Sequence, residues 1–194
     1  MPNLLFTPAT RLSICGLDEI EALRDRSVTH VLSILDPAWP DPTAFAEWGA
    51  HVRHTLRFHD IIADYPGFDA PARGHVEQVI AFGDAIEAAG EPVGHLLIHC
   101  HAGISRSTAA MATLLARHTP IGEEAGIFAR IREIRPIAWP NSRMIGFADD
   151  ILGRGGRLNA ALREHYRLQA PKHPQFMEEL KRNGRGAEVP DQVA

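Results

Sequence analysis

Cys100 and Arg106 in the run HCHAGISRST (99 to 108) are the pair whose types and spacing could do chemistry together. A thiolate is a nucleophile, and a guanidinium is a planar fork of donors that matches an oxyanion. Between them lie His101, Ala102, Gly103, Ile104 and Ser105. The preceding VGHLLIHC has the continuous apolar run of a buried strand, and SRSTAAMATLLARH restarts at once as a helix rich in small residues. A tight loop from a strand end into a helix N-terminus turns backbone N–H groups inward, and the helix dipole adds positive potential. With Arg106, that makes a cradle for a phosphate dianion. The same field favours the thiolate of Cys100 over its thiol, which makes it the candidate nucleophile. A buried cysteine at a strand end is ordinarily a small hydrophobe, the reading given to Cys15; Cys100 departs from it because Gly103 and Arg106 accompany it.

The elements that must position this loop alternate along the chain. Strands are predicted at about 11 to 15, over VTHVLSIL (28 to 35) and over HVRHTLRF (51 to 58), where Val52, His54, Leu56 and Phe58 share a face. Helices are predicted after Gly16, where Asp18 could cap a short turn with Leu17, Ile20 and Leu23 inward, and over HVEQVIAFGDAIEAAG, with Val76, Val79, Ile80, Phe82 and Ile86 at helical spacing. Two more follow the loop, at 123 to 135 and 142 to 152. Alternation of this kind places the fold in the α/β class, with a central, mostly parallel sheet flanked by helices. Past Leu152 the composition changes: GRGGRLNAALREHYRL reads as a glycine hinge and an amphipathic helix, while APKHPQF and NGRGAEVPDQVA read as a weakly ordered end. The expected organisation is a catalytic domain over 1 to 152 and a helical, partly flexible tail over 153 to 194.

Bulk properties narrow the partners. The chain has 194 residues, 45% of them hydrophobic, which is enough for one core without disulfides or metals. A formal net charge of -4 gives no global case for nucleic acid or an anionic membrane, so anion binding has to be local. Only two cysteines, far apart, argue against a disulfide framework. The start, MPNLLFTPATRLSI, has no basic leader before an apolar run, and no later segment has the length of a membrane span. A cytoplasmic protein without membrane insertion is expected.

The pattern His99-Cys100-x5-Arg106-Ser107 resembles the signature of the cysteine-dependent protein tyrosine phosphatases, and HCHAGISRST is most similar to their dual-specificity branch. The resemblance covers roughly residues 10 to 152: VTHVLSIL, the helix before LLIHC and RPIAWPN fall in the family's order. It implies a phospho-cysteine intermediate on Cys100, with Arg106 clamping the phosphoryl oxygens among the loop residues 101 to 106. It also implies that Ser107 helps the thiolate leave, that His99 orients the loop from beneath and that Asn141 braces it. His101, at a variable loop position, either contacts substrate or is a solvated bystander. No cofactor is implied. The partner implied is a phosphorylated protein or peptide carrying phosphotyrosine, with phosphoserine and phosphothreonine as extensions. The loop lacks the lysines of phosphoinositide-selective relatives.

In this family an aspartate protonates the leaving oxygen. Asp41, Asp60, Asp64 and Asp69 precede Cys100. Parallel sheets gather functional groups at the carboxyl ends of their strands, and Asp60 directly follows HTLRF, so it is the expected acid, with Asp64 next and Asp69 also open. The tripeptide Trp39-Pro40-Asp41 spells a familiar acid loop, but two helices and a strand intervene before Cys100; Asp41 is expected instead to cap a short helix with Phe45 and Trp48 inward. His51, His54 and His59 cluster in sequence, yet strand alternation sends them in different directions, so no metal site is expected. Two alternatives to a protein phosphatase stay open: a phosphate-binding module with poor turnover, and a phosphatase of a phosphoinositide, nucleotide or RNA end.

Overall fold

The computed structural model describes residues 7, 9 to 90 and 93 to 190. Four strands, β1 (Arg11–Cys15), β2 (His30–Leu35), β3 (Val52–Arg57) and β4 (His95–His99), form one sheet in the order β1-β4-β2-β3, with every pairing parallel. In β2 and β4 nearly every residue is buried, as continuous apolar runs require when both faces are covered. β3 is an edge strand: Leu56 is buried, but Val52, expected on the same inward face, is exposed at the sheet rim.

The two faces are covered differently. Ile14, Leu32, Ile34, Leu56, Leu96 and Ile98 point to one side and join the main core with the α-helices. These are α1 (Arg73–Ala88), α2 (Arg106–His118), α3 (Glu124–Ile134), α4 (Ser142–Ile151), α5 (Arg157–Gln169) and α6 (Pro174–Arg182). Helix α2 is the centre of this layer; its buried Ala109, Ala110, Ala112 and Ala116 let the helix backbone lie close to its neighbours. The residues that alternate to the other side, Cys15, Val31 and Leu97, pack with Ile20, Val28 and Phe45 in a smaller cluster roofed by 3-10 turns.

Those turns correct two sequence expectations. The segment after Gly16 forms 3-10 turns at Leu17–Glu19 and Glu21–Arg26, and its cap is the Glu19 carboxylate accepting from Gly16 N (2.7 Å), with no bond from Asp18. The segment after Asp41 is a 3-10 turn over Thr43–Glu47 with no side-chain cap. Asp41 instead pairs with Arg57 (2.7 Å) and Arg53 (3.3 Å) on β3, because two cations offer it more than one orphan N–H would.

The core also runs across residue 152 without a break. Leu158, Leu162 and Tyr166 of α5 and Met177 and Leu180 of α6 belong to the same buried cluster as the strands. Trp139 is sandwiched there, stacked on Tyr166 (centroids 4.5 Å) and edge-on to Phe176 (5.7 Å). The glycine-rich turn before α5 is fixed by Asp149, which accepts from Gly156 N (2.6 Å) and Asn159 N (3.0 Å). The segment read as weakly ordered holds α6 and a last 3-10 turn, Gly186–Glu188; residues 191 to 194 lie outside the described chain. Among the described residues no helix is long and apolar enough to cross a membrane.

Candidate active site

All four strands end at one edge, so Cys15, Asp36, Phe58 and Cys100 open onto the same rim. The loop after β4 is held from outside by its carbonyls. His101 O accepts from Leu17 N (2.8 Å), Ala102 O and Gly103 O from the Arg135 guanidinium (both 3.1 Å), Ile104 O from Trp139 N (2.8 Å) and Ser105 O from Asn141 N (3.3 Å). Five consecutive carbonyls therefore point outward. Among the described residues none of the N–H groups of residues 101 to 106 donates to another protein group. Gly103 makes this turn possible: its φ is +67°, and a Cβ there would overlap the backbone of Cys15 and Gly16.

Cys100 lies at the floor, 2% exposed, with its Sγ 3.2 Å from Ser107 Oγ at the start of α2. Beneath, His99 is fully buried and Nε2 is 2.7 Å from Ser33 Oγ. Ser33 Oγ also accepts from Arg53 Nε (2.9 Å); burial pushes the imidazole down to about 4, and it stays neutral. On the neighbouring strand, burial, followed by the charges of Glu19 and Cys100, pushes the Cys15 thiol up to about 12. Cys15 is thus a core thiol beside the candidate nucleophile.

Arg106 is 3% exposed. Its Nη1 donates to Phe58 O (2.5 Å) and Asp36 Oδ1 (2.6 Å), and its buried Nε has no partner among the described residues. Sequence reasoning missed Asp36. The oversight came from counting elements along the chain: β2, not β3, is the neighbour of β4, so the loop after β2 borders the phosphate-type loop directly. The strand-end rule that selected Asp60 selects Asp36 equally. The same topology removes the reason for placing Trp39-Pro40-Asp41 at a distance. Arg57 clamps this loop through Asp36 O (3.4 Å), Pro37 O (3.3 Å), Trp39 O (2.6 Å) and Asp41, and the Trp39 ring lies 4.6 Å from the ring of His101. His101 Nε2 accepts from Asp36 N (3.1 Å), the role of a neutral imidazole, and burial and Arg106 lower its affinity for a proton against the pull of Asp36 and Asp60.

The three other acid candidates separate clearly. Asp60 Oδ1 accepts from Ser105 Oγ (2.6 Å) and Asn141 Nδ2 (2.9 Å) and lies 3.2 Å from Arg185 Nη1, while Oδ2 has no partner among the described residues. Burial pushes this carboxyl up, but Arg185, Arg106, Ser105 and Asn141 together hold it below the usual carboxylate range. Asp64 is 82% exposed and pairs with Arg143 (2.8 Å). Asp69 bonds His59 through its backbone, as acceptor from His59 N (2.8 Å) and donor to the ring Nδ1 (3.0 Å), and its charge acts on His75. Asn141 caps α4 by accepting from Met144 N (3.1 Å) and reaches Asp60 with its amide (2.9 Å), while its backbone N bonds Ser105 O, so one residue joins the helix, the loop and the acid candidate. Arg185 and its partner Glu188 were also missed, since both follow Pro171 and Pro174 in a segment whose composition suggested no role. The three histidines of the β3 region end up apart: His51 against Phe45 and Trp48, His54 against Phe82, His59 against Phe68.

No family model matches the chain. Among curated proteins it is 28% identical over 123 residues to human dual specificity protein phosphatase 15, a match covering 63% of this chain and 36% of that protein. It is 27% identical over 149 residues to human protein phosphatase Slingshot homolog 3, covering 75% and 19% respectively. The chain thus spans well under half the length of either curated relative. Among solved structures, the Yvh1 phosphatase domain from Chaetomium thermophilum superposes with a TM-score of 0.55 at 23% identity, covering 76% of this chain and 93% of that one. The structure of DUSP15 does so at 0.51 and 23%, covering 81% and 92%.

Proposed function

We propose that this chain, a distant homologue of the dual-specificity branch of the cysteine-dependent tyrosine phosphatases, is a metal-independent hydrolase of phosphate monoesters. The observation that carries the reading is the loop from His101 to Arg106. Its carbonyls are all engaged outside, its N–H groups are unengaged and the buried Nε of Arg106 has no partner, which together describe an oxyanion cradle above a cysteine. Proteins or peptides bearing phosphotyrosine are the substrate class it fits first, with Trp39 and His101 offering an aromatic wall at the rim.

The reaction takes two steps. Cys100 Sγ attacks phosphorus in line, the S–P bond forms, and the P–O bond to the leaving group breaks as Asp60 Oδ2 delivers a proton to that oxygen. Water then attacks phosphorus and gives its proton back to Asp60. The S–P bond breaks, Ser107 Oγ stabilises the departing thiolate, and orthophosphate leaves. Arg106, held at Nη1 by Phe58 O and Asp36, presents its Nε and Nη2 edge to the phosphoryl oxygens. An incoming dianion raises the proton affinity of Asp60, opposing the cations that hold it ionised in the free protein.

A second reading, a phosphate-binding module with slow turnover, is favoured by that same ionised Asp60 and by the carboxylate of Asp36 already on Arg106. Hydrolysis of p-nitrophenyl phosphate without added metal, by wild type and Cys100→Ser, decides between them: the phosphatase loses all but background turnover, and equal rates refute the enzyme. With phenyl phosphate, whose leaving group is poor, Asp60→Asn is expected to lower kcat/KM by about 10²- to 10⁴-fold. A loss confined to Asp64→Asn would move the role there. Phosphopeptides, phosphoinositides and nucleotides compared on the same enzyme assign the substrate.

A further inference from the structure

We infer that Arg185, carried by the C-terminal segment, is a positioning residue for Asp60: it fixes one carboxylate oxygen and leaves the other to handle the proton. The inference rests on the phosphatase reading of the site. Two hydrogen-bond donors, Ser105 Oγ and Asn141 Nδ2, and the Arg185 guanidinium, as an ion pair at 3.2 Å, converge on Asp60 Oδ1, and only Arg185 brings a charge. Arg185 is 7% exposed, and a buried cation persists only where its partners are fixed.

They are fixed on both sides. Glu188, 1% exposed, takes Arg185 Nε at 2.8 Å and Nη2 at 2.5 Å on Oε2, and its Oε1 accepts from Ser142 N (2.7 Å) at the start of α4. The chain reaches this point through a tight reversal after α6: Gly184 N bonds Lys181 O (3.3 Å), Arg185 N bonds Leu180 O (2.8 Å), and Gly184 has φ +73° with the Tyr65 hydroxyl against it. Tyr65 belongs to the loop that follows Asp60. The C-terminal turn therefore packs on the acid's loop and on the acid. Ser142 directly follows Asn141, so the Arg185 and Asn141 contacts to Asp60 share one anchor.

The charged and titratable groups around Asp60 are Arg106 and His101 from the cradle, Arg185 and Glu188 from the C-terminal turn, and Tyr166 from α5. Arg106 is committed to Asp36 and to phosphate. Arg185 is the cation free of any part in phosphate binding, so it can hold Asp60 in one orientation through both steps. Without it the carboxyl keeps two neutral donors and can rotate, and a carboxyl displaced by an ångström loses most of its value as an acid.

The test uses the full chain with Arg185→Met, Arg185→Lys and the double variant Arg185→Met/Glu188→Gln, which leaves no buried unpaired charge on Glu188. Thermal melting first establishes which variants fold. Expected for the folded Met-containing variant is a kcat/KM about ten- to a hundredfold lower with phenyl phosphate and within about threefold of wild type with 2,4-dinitrophenyl phosphate, which needs no acid. Lysine restores most of the loss. Equal losses on both substrates, or none, overturn the inference. Independently of turnover, the carbon-13 resonance of the Asp60 carboxyl is titrated in wild type and variant: its midpoint moves to higher pH when the cation is removed, and an unchanged midpoint overturns the inference even if the enzyme is active. Wild type without Cys100-dependent turnover overturns the phosphatase reading and the catalytic role of Arg185 with it, and the titration alone then decides whether Arg185 holds Asp60.

Discussion

Asp36 places a negative charge on Arg106, the residue proposed to clamp the anion, and Asp36→Asn tests what that charge does. The substitution removes the charge and keeps an oxygen for Arg106 Nη1, now 2.6 Å from Asp36 Oδ1, while Phe58 O at 2.5 Å supplies a second anchor. Arg106 should therefore keep its orientation, and the dominant effect is electrostatic. A carboxylate on one side of a guanidinium and an oxyanion on the other are about 6 Å apart, where unit charges interact by about 3 kcal/mol at an effective dielectric of 20 and by under about 1 kcal/mol in bulk water. The Asp36 side chain is 35% exposed, so the value falls toward the lower bound, about 1 kcal/mol or roughly a fivefold change in affinity. Orthophosphate binding by titration calorimetry should tighten by about that factor in Asp36→Asn. The gain should shrink as salt is raised, because a partly exposed pair is screened. Weaker binding in Asp36→Asn would refute the reasoning, since it would mean that the carboxylate's hold on Arg106 outweighs its repulsion of the anion.

Three further outcomes follow from the packing. Leu162→Ala removes a side chain 2% exposed in the main core from α5, the helix that packs on α3 and α4, and should cost about 2 to 5 kcal/mol by chemical denaturation, while truncation after Leu152 should yield no cooperative unfolding transition. His99 and His165 are both pushed down to about 4, by burial first, so between pH 6.5 and 4 the unfolded chain binds protons that the native state refuses. Native stability is thus full above about pH 6.5 and falls as pH drops through that window, by up to about 1.4 kcal/mol per unit for each histidine; a melting temperature flat from pH 7 to pH 5 would contradict it.

The turn from β4 into α2 and most elements were legible in the sequence because their signals are local. LLI at 96 to 98 and Val31, Leu32, Ile34 and Leu35 at 30 to 35 form near-continuous apolar runs, as in strands buried on both faces, and α1 keeps its apolar spacing through Val76, Val79, Phe82 and Ile86. What escaped were relations between distant segments. Asp36 was passed over because chain order suggested that β3 stands between its loop and Cys100, whereas parallel crossovers make β2 the inner strand. Asp41 matched a helix cap locally, but its pairing with Arg53 and Arg57 depends on β3 lying alongside β2. Arg185 and Glu188 sit among prolines, glycines and charges, a composition that reads as solvent-facing. Their burial depends on α5 and α6 covering Trp139, which periodicity within 157 to 182 can suggest and cannot dock.

The contact between Asp60 and Arg185 also has a bearing on synthesis. The candidate nucleophile, its loop and the acid candidate are all in place in the chain by residue 106, yet the cation that meets Asp60 is translated some eighty residues later, after α5 and α6. A nascent chain, or one clipped within the last turn by a protease, carries the nucleophile without that support. In the proposed phosphatase, acid-assisted turnover is consequently a late event in biogenesis, and loss of the turn that carries Arg185 would lower it at a site that turn adjoins only in the folded chain.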